Sequence, residues 1–389
     1  MRYILFLAMS ICVVGTAFAE ETGEWVSLFN GNDLAGWHEV LGGKWSVVDG
    51  CIIGETGDER YGWLVTDKMY SDFVLELDFK TEAPGNSGVQ FRSHVVKEGE
   101  NHDVDRMRGY QAEVSPQRGR STGGVWDEAG DRGWLAQPAR ELDNVLREGE
   151  WNHYRISMIG DHIVTHLNGV KMVDFHDDKT IRGHIALQVH SGPTPVRVRW
   201  KNIRIQDLGY GPGWTPIFNG KDLSGWEPMA NEKWVVEDGA IVGECVTDKY
   251  GYLATDKTYE DFVLRLKFQC EGGNSGVFFH ASFDENEELT VGVQSEIAKP
   301  SDSHLDGQLY SGRWLTDIKK ATYGLVKDGQ WNDMQIMSKG NRVVTHVNGY
   351  LVSDYTEPNP RYIRGVIALQ LHSGGQTEVK FKDIYIKQL

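Results

Sequence analysis

The sequence predicts an all-β protein with two tandem β-sandwich domains of the jelly-roll type. Three observations lead to this prediction. The second half of the chain repeats the first, short segments of alternating apolar and polar residues dominate, and Gly, Asn and Asp turn signals separate them. No stretch keeps a helical period over three turns. A chain of 389 residues is long enough for two domains that each bury a core.

The internal repeat covers nearly the whole chain. The segment LFNGNDLAGW at 28–37 returns as IFNGKDLSGW at 217–226, and ALQVHSG at 186–192 returns as ALQLHSG at 368–374. Repeats of solenoid proteins are only about 20–50 residues long. The period here therefore indicates a duplicated domain. The two copies also form an internal alignment that shows which polar residues recur.

Individual strands follow from side-chain alternation. Apolar and polar residues alternate in segments 73–79 and 151–157. The Asn-Gly pair at 168–169 and the Asp-Gly pair at 49–50 each lie between two strand-like segments, which is a strong hairpin signal. Many short strands joined by such turns are typical of a sandwich or a jelly roll.

The domain boundaries follow from the repeat and from composition. We predict a signal peptide at 1–19, a first domain at 24–206, a linker at 207–213 and a second domain at 214–389. The predicted linker is rich in glycine and follows the last strand-like segment of the first copy.

The charge balance excludes some classes of partner. The chain has 40 Lys and Arg residues against 56 Asp and Glu residues, a formal net charge of −16. Nucleic acids and anionic membranes both favour a basic surface, so neither is expected as the main partner. Its 13 Trp, 15 Tyr and 14 Phe residues can stack on sugars or build β-sheet cores.

The N-terminus has the pattern of an export signal. Arg2 supplies the positive charge, residues 3–15 the apolar stretch and residues 17–19 a small-residue cleavage site. The apolar run is shorter than the roughly 20 residues that a membrane-spanning helix needs. We expect a periplasmic or secreted protein without a transmembrane segment.

Three cysteines remain after the signal. Cys245 and Cys270 could meet on neighbouring strands, or the thiols could be small buried side chains. No Cys/His spacing indicates structural zinc.

Strand parity predicts one polar sheet face. Residues that alternate with the apolar positions point away from the core. In the first copy these are Gln90 and Arg92, Gln111 and Glu113, and Gln188 and His190. In the second copy they are Phe278 and His280, Gln294 and Glu296, and Gln370 and His372. The alternative is a solvated outer face, but ionisable residues recur at matched positions. Long polar loops at 94–109 and 115–148 bracket one of these strands and are expected to be functional.

Four motifs in fixed order carry a resemblance to a known family. They are LFNGxDLxGW, the NSGVxFx strand, GYQAE at 109–113 and LQxHSG. Together they resemble the 3-keto-disaccharide hydrolase family, formerly a domain of unknown function, in both copies. The resemblance implies a concanavalin A-like jelly roll. It also implies cleavage of 3-keto-glycosides by removal of the C2 proton, elimination at C1 and rehydration, so that a 3-keto-disaccharide or 3-keto-glycoside is the expected substrate.

The polar sheet face and the resemblance together assign roles to particular residues. A further family motif matches Trp126, Asp127 and Glu128, followed by Arg132 and Trp134. We expect catalysis by the residues Glu113, His190, Arg92, Asp127, Glu128 and Arg132. We expect substrate binding by the residues Gln90, Gln111, Gln188, Trp126, Trp134, Glu296, His372 and His280. Glu113 and His190 are predicted to transfer protons and Arg92 to stabilise the enolate oxygen.

The second copy departs from the motif. It has Tyr310, Arg313 and Trp314 without the two acids, and His280 in place of Arg92. The first copy is therefore expected to carry most of the activity. The motifs alone do not indicate whether a cofactor is needed, and Glu113, Asp127, Glu128 and His190 could together hold a divalent metal ion. The competing hypotheses are a non-catalytic, lectin-like carbohydrate-binding protein and an adhesion protein.

Overall fold

A computed structural model of the chain describes residues 23–57, 61–98, 104–115, 121–209, 211–298, 305–317, 325–359, 363–374 and 377–389. The predicted signal peptide lies outside these residues. The described residues form strands and turns, including a short 3₁₀ turn at Arg140–Leu142, and no α-helix. No helix of the length and hydrophobicity needed to cross a membrane occurs in this part of the chain.

The strands of the first domain form two antiparallel sheets. They are β1 (Trp25–Ser27), β2 (Trp37–Leu41), β3 (Lys44–Val48), β4 (Cys51–Glu55), β5 (Gly62–Tyr70), β6 (Asp72–Thr81), β7 (Ser87–Glu98), β8 (Val104–Val114), β9 (Val125–Glu128), β10 (Trp134–Ala136), β11 (Asn152–Ile159), β12 (His162–Leu167), β13 (Val170–His176), β14 (Gly183–Val189) and β15 (Arg197–Gly209). One sheet has the order β13-β12-β11-β6-β15-β4-β3, with β1 also paired to β15. The other has the order β10-β9-β8-β7-β14-β5-β2.

The strands of the second domain repeat this arrangement. They are β16 (Thr215–Pro216), β17 (Trp226–Met229), β18 (Lys233–Glu237), β19 (Ala240–Glu244), β20 (Gly251–Tyr259), β21 (Phe262–Gly272), β22 (Ser275–Phe283), β23 (Leu289–Ile297), β24 (Leu309–Tyr310), β25 (Asn332–Lys339), β26 (Arg342–Val347), β27 (Tyr350–Thr356), β28 (Gly365–Leu371) and β29 (Glu378–Gln388). The sheet orders are β18-β19-β29-β21-β25-β26-β27, with β16 on β29, and β17-β20-β28-β22-β23-β24. The predicted fold class, two tandem jelly-roll β-sandwiches, is confirmed.

Each core lies between the two sheets of a sandwich. In the first domain, Phe73, Leu75, Leu77 and Phe79 alternate along β6 and are buried in one cluster with side chains of the facing sheet. Those side chains include Phe91 of β7. The alternation that predicted the strands thus also selects the core residues.

The predicted tight turns form as hairpins. Asn168 and Gly169 have φ angles of 51° and 82° and join β12 to β13. Asp49 and Gly50, at 51° and 69°, join β3 to β4. Two successive positive φ angles give the turn whose twist matches paired strands.

The structure differs from two sequence-based expectations and decides an alternative that the sequence left open for the cysteines. The strand β15 extends to Gly209, because residues 207 and 209 still pair with β6, so the predicted linker begins with three strand residues. The polar segment at 94–109 is largely an extension of the β7–β8 hairpin rather than a loop. Cys51, Cys245 and Cys270 are all free thiols, so Cys245 and Cys270 do not pair.

The two domains contact each other through the β26–β27 hairpin of the second domain. The Ile181 amide donates to the Gly349 carbonyl at 3.3 Å, and Arg108 donates to the Tyr350 hydroxyl at 3.1 Å. Arg182 forms an ion pair with Asp333 across the same contact. Side chains of the first domain therefore depend on the second for some of their partners.

The equivalent hairpin glycines make a matched test of this contact. A Cβ at Gly349 would meet the Arg182 carbonyl oxygen at 2.2 Å, whereas a Cβ at Gly169 would meet nothing within 4 Å. Both residues have positive φ, so alanine costs about 1 kcal/mol of backbone strain at either site. We expect Gly349→Ala to lower the free energy of unfolding in urea by clearly more than Gly169→Ala does. Equal losses would show that the added methyl group at Gly349 does not weaken the domain contact.

Candidate active site

Most of the predicted polar residues lie together on the outer face of the β14-β7-β8-β9 sheet. Gly88 of β7 lies opposite both Gln188 of β14 and Glu113 of β8. Gln90 of β7 lies opposite Gln111 of β8. This face is not solvated, since Gln90 and Gln188 are 0% exposed, Gln111 3% and Glu113 6%. The alternative of a solvated face is therefore wrong.

An absent side chain makes room for this cluster. A Cβ at Gly88 would lie 2.6 Å from the Gln111 side-chain amide, which rests across the β7 backbone. In the second domain, a Cβ at Gly276 would lie 2.3 Å from the Gln294 amide. The glycine of each NSG motif thus lets the glutamine of the next strand reach its neighbouring glutamate.

Glu113 is the central ionisable group of the face. Asn86 donates to one carboxyl oxygen, and Gln111 donates to the other at 3.0 Å. Burial raises the pKa of Glu113 to about 7, an effect that nearby Glu128 reinforces and the two amide donors only partly offset. A carboxyl group with this pKa can accept and release a proton near neutrality.

A chain of hydrogen bonds fixes the orientation of Glu113. Ser93 donates to Gln90 at 2.8 Å, Gln90 donates to Gln111 at 2.8 Å, and Gln111 donates to Glu113. Each amide therefore presents its NH₂ group toward the carboxyl group, and such chains strengthen their members. Ser93 and Asn86 were not among the predicted site residues, although NSG recurs in both copies and was a usable signal for Asn86.

His190 lies just beyond the end of β14 and pairs with a tyrosine. Its Nδ1 is 2.5 Å from the Ser191 carbonyl oxygen, which can only accept, so Nδ1 carries a proton. Its Nε2 lies 3.2 Å from the Tyr61 hydroxyl. The His190 backbone amide donates to the Asn86 carbonyl, so the imidazole and Glu113 share Asn86 as a neighbour. The sequence did not reveal Tyr61, because it lies in a loop before β5.

Aromatic rings and an ion pair lie along the rim. Trp126 and Trp134 make an edge-to-face contact with ring centroids 5.3 Å apart. Glu128 accepts from Arg106 at 2.9 Å, and the Arg106 guanidinium lies 5.1 Å from the centre of the Tyr61 ring. Arg106 also escaped prediction because it belongs to the hairpin extension interpreted as a loop.

Arg92 does not lie on this face, and its predicted site position is wrong. The strand is bulged here, with φ of 43° at Arg92 and a register shift after Phe91. The buried guanidinium donates to Asp72 at 2.8 Å and to three backbone carbonyls, those of Ser71, Gly160 and Thr180. Its counterpart His280, at φ of 50°, likewise hydrogen bonds to the Glu260 carbonyl at 2.9 Å instead of facing Glu296.

Asp127 and Arg132 are also placed away from Glu113. Asp127 lies opposite Tyr110, a core residue, and so points to the other side of the sheet. It accepts from Arg132 at 2.9 Å and from Lys179 at 2.9 Å. The predicted metal ligands are therefore divided between two faces, and the described part of the chain contains no group of three His, Cys, Asp or Glu residues that could hold a metal ion.

The second domain repeats the central arrangement around an open cavity. Glu296 accepts from Asn274, and from Gln294 at 2.8 Å, and burial raises the pKa of Glu296 to about 7. His372 lies 3.2 Å from the Tyr250 hydroxyl. A cavity of about 590 Å³ opens on this face, and Glu296 and His372 both line it.

The chain belongs to the family of 3-keto-alpha-glucoside-1,2-lyase-like domains, whose family model matches residues 24–206 and 213–387. The resemblance read from the sequence motifs is confirmed. Both copies are matched, including the segments that carry Glu113 and Glu296.

Individual relatives are distant. A 3-keto-disaccharide hydrolase of Bacteroides thetaiotaomicron is 24% identical over 178 residues, which is 39% of this chain and 58% of that protein. A Parabacteroides distasonis protein assigned by name to the glycosyl hydrolases is 25% identical, with a TM-score of 0.37 over 46% of this chain and 94% of that one. The carbohydrate-binding module CBM66 of Bacillus subtilis is 14% identical, with a TM-score of 0.34, and the match covers 42% of this chain and 96% of that module.

The placement of Arg92 leads to a stability prediction. Arg92→Met leaves the buried Asp72 carboxylate without its cation, which typically costs about 3–5 kcal/mol of the free energy of unfolding. Lys68→Met removes an exposed ion pair with Asp207, and such pairs contribute about 0–1 kcal/mol. Urea unfolding of both variants measures the difference. An Arg92→Met protein as stable as Lys68→Met but without turnover would return Arg92 to the active site.

Proposed function

We propose that the chain is an exported, carbohydrate-active enzyme that cleaves 3-keto-glycosides by proton removal at C2, elimination and rehydration. The observation that carries this proposal is the buried Glu113 carboxyl group, which two amide donors orient and whose pKa burial raises to about 7. Membership in the 3-keto-alpha-glucoside-1,2-lyase-like family and the name of the B. thetaiotaomicron relative support the same chemistry.

The reaction needs a base, an acid and a stabilised oxyanion. A ketone at C3 acidifies the C2–H bond, and a base takes this proton to give an enolate. The enolate re-forms the ketone, a C1=C2 double bond forms, and the C1–O bond to the aglycone breaks as its oxygen gains a proton. Water then adds its oxygen at C1 and a proton at C2, which completes a net hydrolysis. No second carboxylate of the kind used by ordinary glycosidases is required.

We assign the base to Glu113 and the acid to the His190–Tyr61 pair. Because the pKa of Glu113 is about 7, about half of the Glu113 side chains are ionised at pH 7 without a neighbouring cation. The carboxylate form can then accept the C2 proton. Because Nδ1 of His190 is bonded to a carbonyl, Nε2 is the ring atom that can exchange a proton toward the face. Protonated His190 can pass this proton to the leaving oxygen through the Tyr61 hydroxyl, 3.2 Å away.

Gln188 replaces Arg92 as the proposed donor to the C3 oxygen. Its side-chain amide is fully buried on the face, and neither of its polar atoms has a hydrogen-bond partner among the described residues. A buried amide donor without a partner gains a hydrogen bond when negative charge develops on a substrate oxygen beside it. Trp126 and Trp134 offer aromatic surface for the sugar ring at the rim.

A lectin-like or adhesion protein is the second candidate, and the Trp126–Trp134 pair favours it. Sugar binding alone needs aromatic surface and hydrogen bonds. Sugar binding does not require a buried carboxyl group with a raised pKa. We therefore favour an enzyme over a sugar-binding protein.

Export is the part of the proposal that rests on residues 1–19 alone. We expect protein recovered from the periplasm or medium of a bacterial host to begin at Glu20. N-terminal sequencing checks this, and a retained Met1 on the exported protein would rule out cleavage at the predicted site.

Glu113→Gln tests the catalytic assignment. On a 3-keto-disaccharide we expect the variant to lower kcat by about 10²–10⁴-fold, the range typical of a general base, because the amide cannot accept the C2 proton. The matched control is Glu39→Gln, an exposed position on β2, which should retain wild-type turnover. Wild-type kcat/KM should rise as the pH increases through about 7, where Glu113 loses its proton.

Two results would contradict this assignment. Turnover by Glu113→Gln equal to that of Glu39→Gln would remove Glu113 from the reaction. Binding of the keto-sugar by the wild-type protein without any release of product would favour the lectin-like alternative.

A further inference from the structure

The second domain keeps every group that the proposed reaction uses. Asn274 and Gln294 hold Glu296, as Asn86 and Gln111 hold Glu113. The His372 Nδ1 lies 2.8 Å from the Ser373 carbonyl oxygen, which leaves Nε2 toward Tyr250. Gln370 takes the place of Gln188 and lines the same cavity. Its side-chain oxygen accepts from Gln294 at 3.1 Å, whereas neither polar atom of Gln188 has a partner among the described residues.

Two of the three differences that distinguish the second copy from the family motif lie away from this face. Arg92, the counterpart of His280, is engaged beneath the sheet by Asp72 and backbone carbonyls. Asp127, which the second copy lacks, points to the core side of its strand. Their replacement therefore removes no group that contacts the substrate-binding face.

The two domains differ in the residues that border the face, which are here called its wall. In the first domain it carries Gln90 and the ion pair between Arg106 and Glu128. In the second domain Phe278 stands at the position of Gln90, and Leu289 stands at the position of Arg106.

A shorter connection removes the acid as well. Seven residues separate Trp126 from Trp134, whereas three separate Tyr310 from Trp314, and Gly312 occupies the turn. The edge-to-face aromatic pair survives, with Tyr310 and Trp314 centroids 5.3 Å apart. The second cavity thus has the same aromatic rim without the ion pair.

We propose that the second domain is a second active site, which cleaves 3-keto-glycosides with aromatic or other apolar aglycones, while the first domain takes polar, sugar-like aglycones. This inference rests on the proposed function of the first domain. An aglycone that enters the second cavity meets Phe278, Leu289 and the Tyr310–Trp314 pair. The Phe278 ring itself packs edge-on against Tyr252, with ring centroids 5.7 Å apart. Where a sugar aglycone contacts Phe278 and Leu289, its hydroxyl groups lose water without gaining a hydrogen bond, which costs affinity. Thr290 and Ser311 supply polar groups elsewhere in the lining.

The first domain has the opposite preference for the same reason. The Arg106–Glu128 ion pair offers donors and acceptors to aglycone hydroxyl groups, and the buried Gln90 amide supports this side of the face through its bond to Gln111. An aromatic aglycone there would desolvate these charges without replacing their hydrogen bonds. Each domain therefore selects against the substrate of the other.

Matched variants of the full chain separate the two sites. The probes are a 3-keto-disaccharide and a 3-keto-glucoside with a nitrophenyl aglycone, and the variants are Glu113→Gln, Glu296→Gln and the double variant. We expect Glu296→Gln to lower turnover of the nitrophenyl substrate by at least 10²-fold while most disaccharide turnover remains. Glu113→Gln should give the reverse pattern, and the double variant should lose both activities.

A second variant tests the specificity of the wall. In the Glu113→Gln background, Phe278→Gln should lower the ratio of kcat/KM for the nitrophenyl substrate to that for the disaccharide by about 10-fold or more, within the usual range for a pocket contact. Thermal unfolding of each variant confirms that its domains remain folded, so that a lost activity reports on the site.

The outcomes distinguish this inference from the proposed function. If Glu296→Gln turns over both probes like the wild type while Glu113→Gln loses both, the second site is not catalytic and the proposed function stands. If Phe278→Gln leaves the ratio unchanged, the assigned aglycone class is wrong. If the wild-type chain turns over neither probe, the proposed function fails and this inference fails with it.

Discussion

Burial of a carboxyl group on the outer face of a β-sheet is the constraint on which the site depends. Such a face would normally expose Glu113 to water and leave it fully ionised at neutral pH. The absent side chain at Gly88 lets Gln111 cross the neighbouring strand and bond to Glu113, and the hairpin extension adds Met107 to an apolar cluster with Trp63 and Val65 on this face. The sheet thereby provides both the shielding that raises the pKa and the amide bonds that hold the carboxyl group in one orientation.

The orientation of this group is fixed from several strands at once. The amide chain from Ser93 to Glu113 crosses from β7 to β8, while Asn86 immediately precedes β7. Strands in a sandwich are rigid relative to loops, so a base mounted on them is held in place before a substrate arrives. The rim residues come instead from hairpins and connections, which is where the two copies differ. One sandwich can therefore keep its proton chemistry while the shape of the entrance changes.

The sequence predicted the fold and the centre of the site because both follow from strand parity. Gln90, Gln111, Glu113 and Gln188 lie on one face as alternation requires. The prediction from strand alternation was wrong at Arg92. A bulge inserts one extra residue there, and this reverses the direction in which the side chain points.

Other site residues were not predictable by the same reasoning. Asp127 was assigned from a motif, and a motif does not state to which side of a strand a residue points. Tyr61 lies in a segment without strand-like alternation, and Arg106 lies on the hairpin extension that was interpreted as a loop. Only the folded chain brings Tyr61 beside His190 and Arg106 beside Glu128. Their positions depend on long-range pairing, which local patterns do not encode.

The contact between the domains has a consequence for how this duplicated gene can evolve. Arg108 lies on β8, three residues before Gln111, and donates both to the Ala129 carbonyl beside Glu128 and to the Tyr350 hydroxyl of the second domain. A lineage that lost the second copy would also lose a partner of a side chain that supports the rim of the first. The second copy can therefore be retained for this support as well as for chemistry in its own cavity.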